Sequence, residues 1–162
     1  MKLKNIIWSW DFGISLIAML ASFIILPTFL RTDFAASFYS VGISVLSIVF
    51  SLFFAALAII MSSTDNEFIL FLEKKKQFTT LLWSFRFTLT LLFVSLIYSI
   101  ILFTCSDFAI KYYDGKSLQH KGFFVAFVGL FCYSLLATAL SVKDTILFSH
   151  YRTKFLNEQS RK

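Results

Sequence analysis

The chain is poor in charge, glycine and proline. Only 15% of its 162 residues are charged, and it has 5 glycines and 1 proline. Soluble domains run nearer a quarter charged, so an ordinary soluble fold does not fit. With so little Gly and Pro, few positions punctuate the chain, and long uninterrupted helices are allowed. The two cysteines, Cys105 and Cys132, sit at the end of one apolar run and inside another. Helix rise sets them too far apart to bridge, and no disulfide is expected. The sequence contains no H-E-x-x-H, G-x-S-x-G, P-loop or C-x-x-C pattern, and its two histidines, His120 and His150, fall in different segments. Apolar segments carrying paired carboxylates are missing as well, and so is an inverted repeat of broken helices. An enzyme, a metal or cofactor site and a secondary transporter are therefore not expected.

What is abundant is apolar: 58% of residues are hydrophobic, 22 of them Phe. Four apolar runs, residues 12–30, 38–62, 81–104 and 122–142, are long enough to cross a bilayer. The first is too long for the apolar core of a signal peptide, about 7–15 residues, and no A-x-A site follows it. The expectation is one all-α domain, residues 1–162: an integral membrane four-helix bundle. Trp8 and Trp10 precede the first run as an interfacial belt. Pro27 frees the carbonyl of Phe23 and kinks or ends the first helix. A short connection follows, so the first two spans are expected to be antiparallel neighbours. Residues 105–121, with an Asp114-Gly115 turn signal, read as a plain connector.

Thr64-Asp65-Asn66-Glu67 is a capping-box pattern, and no Gly or Pro follows before Gly115. One rod is expected, polar over residues 65–80 and apolar over 81–104. The fourth helix likewise continues beyond its span over residues 143–158. Both extensions are expected in the cytoplasm, because Lys and Arg mark the inner side. With both termini inside, Lys2, Lys4, Lys74, Lys75, Lys76, Lys143, Arg152, Lys154, Arg161 and Lys162 collect there. Arg31, Lys111, Lys116 and Lys121 face outward.

The clearest pattern is in the second run. Ser40, Ser44, Ser47, Ser51, Ala55, Ala58 and Ser62 recur at spacings of three and four, among large apolar residues. Small residues at this spacing let helices approach closely in lipid. The same hydroxyls can line a water-filled path. Arg86 is the one charge inside the third run. Its depth matches that of Asp11 when both are counted from the outer ends of their runs, and Asp144 on the fourth helix is about a turn lower and within reach; either Arg86 pairs, with Asp11 the preferred partner, or it snorkels alone.

A small four-span protein with the helix start Ser62-Ser63-Thr64-Asp65-Asn66-Glu67-Phe68 after its second span resembles the transmembrane effectors of bacterial anti-phage defence operons. The Hailong-type effector, a channel controlled by a nucleic-acid oligomer, is the nearest kind. The resemblance implies an oligomeric pore in the bacterial inner membrane, beside a sensor protein, that permeabilises the membrane when triggered. A nucleotide or nucleic-acid oligomer would then meet the basic cytoplasmic face, with Lys74, Lys75, Lys76, Arg152 and Lys154 as the contacts. The other reading of the same patch is anionic lipid. The other reading of the whole chain is a non-catalytic anchor or assembly subunit for a larger partner.

Overall fold

The computed structural model describes residues 10–62, 69–70, 77–112 and 118–159. Nearly all of these are helical. The elements are α1 (Trp10–Ile25), β1 (Phe29–Arg31), α2 (Thr32–Ser62), α3 (Gln77–Tyr112), β2 (Leu118–His120) and α4 (Lys121–Gln159). The all-α expectation holds. Three helices are long and apolar enough to cross a membrane: Thr32–Ser62, Phe78–Tyr112 and Lys121–His150. α1 is described over 16 residues, about 24 Å, and falls short of that length. Pro27 is the reason its far end comes early. The helix stops at Ile25, after a last backbone bond from Leu26 N–H to Ser22 O. α3 has no such stop and runs on to Tyr112.

Two expectations about connectivity are corrected. The first concerns neighbours: α1 packs mainly on α4, and α2 mainly on α3. Three extended residues between α1 and α2 direct them to different partners. The second concerns the connector, which is not plain. Its residues Leu118–His120 pair antiparallel with Phe29–Arg31, His120 opposite Phe29. This ribbon ties the α1–α2 connection to the α3–α4 connection at one end of the bundle.

The core follows a seven-residue repeat on α2. Ala35, Tyr39, Leu46, Phe53 and Ile60 are buried on one side of that helix. Toward one end Leu46, Phe53 and Ile60 meet Leu81, Phe85 and Leu92 of α3, with Phe148 of α4. The Phe53 and Phe85 rings stack at 4.9 Å. Near the ribbon, Tyr39 meets Leu102, Phe124 and Phe127. Gly42 is what lets α2 approach α4 there. A Cβ at that position would lie 2.5 Å from the Phe127 ring.

Candidate functional site

The small-residue stripe of α2 does not face its own bundle. Ser40, Ser44, Ser51, Ala55, Ala58 and Ser62 are exposed and Ser47 is half-buried, while Leu46 and Phe53 on the opposite side are buried. Close packing of the stripe against a helix of the same chain is therefore not what the structure shows. The hydroxyls differ in how they are satisfied. Ser44 Oγ donates to Ser40 O at 3.1 Å, one turn back. The Ser40, Ser47 and Ser51 hydroxyls have no hydrogen-bond partner among the described residues. A bare hydroxyl costs free energy in hydrocarbon, where nothing can accept from it or donate to it.

A second polar line runs inside the bundle, along α3. Ser84, Thr88, Ser95, Ser99 and Ser106 alternate at spacings of four and seven, which keeps them on one helix face. Most of them meet α4. Ser84 Oγ donates to Asp144 Oδ2 at 3.2 Å, and the Thr88 and Ser141 hydroxyls bond at 2.8 Å. Ser95 Oγ donates to Leu130 O at 3.4 Å, and Ser99 Oγ donates to Ser95 O at 2.7 Å. Thr88, Ser95, Ser99, Ser134 and Ser141 are all buried. The seam is therefore closed and satisfied, in contrast to the stripe on α2. Its signal was present in the sequence as five hydroxyls on a regular spacing. Reading residues 81–103 as nearly all apolar, with Arg86 the one charge, passed over it.

Asp11 and Arg86 are not brought together. Arg86 is on the outward side of α3 and makes no ion pair among the described residues. Asp11 is buried on α1, beside Tyr133 of α4. Their levels do match, since Tyr133 of α4 meets Phe12 of α1 at 5.9 Å and Phe87 of α3 at 6.5 Å; what separates the two charges is direction, Arg86 being exposed and Asp11 buried. Asp144 is likewise engaged by Ser84 and not by Arg86.

The expected ligand contacts are only partly in view. Lys74, Lys75 and Lys76 lie outside the described residues, as do the Thr64 cap and the Asp114-Gly115 turn. Arg152 and Lys154 belong to the last turns of α4. Among the described residues no three His, Cys, Asp or Glu side chains cluster as a metal site. The class defined here is an all-α bundle with three helices long and apolar enough to cross a membrane. No protein-family model, curated protein or solved structure matches the chain.

Proposed function

We propose that the protein is an oligomeric membrane channel whose α2 stripes face one another around a shared path. One observation carries this reading: the hydroxyls of exposed Ser40 and Ser51 and half-buried Ser47 have no partner among the described residues, on the side of α2 opposite its buried face. Water or a second copy of the chain would satisfy them, and lipid tails would not. One chain of four helices with a closed internal seam has no path of its own, so conduction requires several copies. Both termini are placed in the cytoplasm of a bacterial inner membrane, by the excess of Lys and Arg on that side. The basic ends of the helices would then meet a negatively charged signal, a nucleotide or nucleic-acid oligomer or a sensor protein, in anti-phage defence.

Purified protein in liposomes tests this directly. Ion flux above that of empty liposomes, increased by an anionic oligonucleotide, is the expected result. A protein that stays monomeric and leaves permeability unchanged overturns it. The outward stripe would then belong to a non-catalytic anchor, as a contact for a larger partner.

A further inference from the structure

A cavity of about 440 Å³ lies where α3 and α4 meet the ribbon. That is within the range of small-molecule sites, about 300–1,000 Å³. Its walls are largely carbon, from Ile101, Leu102 and Ala109 of α3, Leu118 of β2 and Phe123 of α4. Its lining contains no Lys, Arg, Asp or Glu among the described residues. Lys121, next in sequence, is directed elsewhere: its ammonium donates to Phe23 O at 3.1 Å and stands 3.9 Å over the Phe23 ring.

Two side chains of the lining, Gln119 and His120, keep an N–H donor. Gln119 Oε1 accepts from Tyr39 Oη and from Ser106 Oγ, each at 3.4 Å. What Gln119 retains is its amide NH₂, which has no acceptor among the described residues. His120 Nδ1 accepts from Gly122 N–H at 3.1 Å, which puts the proton of the neutral ring on Nε2. Tyr98 Oη already donates to Phe123 O. A fitting ligand is thus apolar and neutral where it meets these walls, with a hydrogen-bond acceptor at the Gln119 end.

We propose that the cavity holds one acyl chain of a membrane phospholipid, with its ester carbonyl accepting from the Gln119 amide. The proposal rests on the membrane-spanning reading of α2, α3 and α4, and is independent of conduction. The cavity is at the ribbon end of those helices, where the membrane-spanning reading puts the lipid ester groups. A free fatty acid would bring a negative charge into the cavity itself, and the lining offers no cation among the described residues to meet it.

Delipidated protein in detergent, titrated with dioleoylphosphatidylcholine and followed by native mass spectrometry, tests the site. The comparison ligand is the diether lipid with the same chains and headgroup, which lacks the carbonyl. One diester lipid per chain is expected, held about tenfold more tightly than the diether, the effect of one good hydrogen bond. Gln119→Glu keeps an acceptor for Tyr39 and Ser106 but removes the donor, and it should erase the preference for the ester. Ala109→Trp fills the cavity and should abolish retention of both lipids. Helicity and elution volume report whether each variant is folded. If either variant does not fold, the comparison of the two lipids on the unaltered protein decides. Equal binding of diester and diether to the unaltered protein overturns the proposal. So does an ester preference that survives Gln119→Glu, or displacement of the bound lipid by equimolar oleate.

Discussion

Lys121 donates its ammonium to the carbonyl of Phe23, 3.1 Å away, and Phe23 has that carbonyl to offer because Pro27 cannot bond it. The same lysine donates its backbone N–H to Thr28 O and lies over the Phe23 ring. One residue at the start of α4 thus fastens the proline-broken end of α1. Lys121→Met is expected to lower stability by about 1 kcal/mol, since the site is partly exposed. Pro27→Ala restores an N–H that can take Phe23 O in place of the ammonium. In that background Lys121→Met should cost clearly less. Unfolding of the four proteins in mixed micelles measures the difference, and equal costs in both backgrounds would show that the bond to Phe23 does not contribute.

The Thr88–Ser141 bond gives a second test. Both hydroxyls are buried, and they meet each other at 2.8 Å. Thr88→Val and Ser141→Ala should each destabilise the bundle by about 0.6–1 kcal/mol. The double variant should cost less than the two singles added, because a lone buried hydroxyl is worse than none. Simple additivity in the double-mutant cycle would mean that the bond does not form in the folded protein.

Asp11 and Arg86, by contrast, should behave independently. They lie on helices that pack mainly on other partners, and no ion pair joins them. The effects of Asp11→Asn and Arg86→Gln on the yield of folded protein are expected to add. A double variant that recovers what either single loses would show a coupling absent from this structure.

The stripe carries the functional test. Ser47→Leu and Ser51→Phe place bulk on the outward small face of α2. Each is expected to abolish flux or to change the size of the assembly. Ile48 is a large residue at the edge of the stripe, 61% exposed. Ile48→Phe is therefore expected to leave flux within about twofold of wild type, because it exchanges one large exposed apolar side chain for another and fills none of the small positions. Liposome flux and chromatography with light scattering read both quantities. Equal loss from the stripe and from Ile48 would count against a specific role for the serines.

Much of the helical layout was legible because the apolar runs are long and only Pro27 interrupts them. The end of α1 could be read from that proline, and the continuity of α4 from the lack of any stop before Gln159. Three features were not legible. The ribbon is three residues on each side, too short for alternation to show in sequence. The choice of partners, α1 with α4 and α2 with α3, depends on where that ribbon directs the chain. The α3 seam was hidden by its own chemistry, since isolated Ser and Thr barely lower the hydropathy of a long apolar run. The α2 stripe was readable as a face, but sequence does not say which way a face turns.

The partner choice bears on the order in which the bundle can assemble. α3 and α4 are consecutive and meet along the hydroxyl seam, so they can dock as soon as both exist. α1 finds its main contact on α4, and β1 on β2, both of which come after α3 in the chain. During synthesis the first helix must therefore wait for nearly the whole chain before it can dock. Until then the bare carbonyl at Phe23 and the buried carboxylate site of Asp11 have no α4 to cover them. α2 can dock on α3 before α4 is made, so it is α1 that closes last, and a chain truncated before Lys121 lacks the groups that receive it.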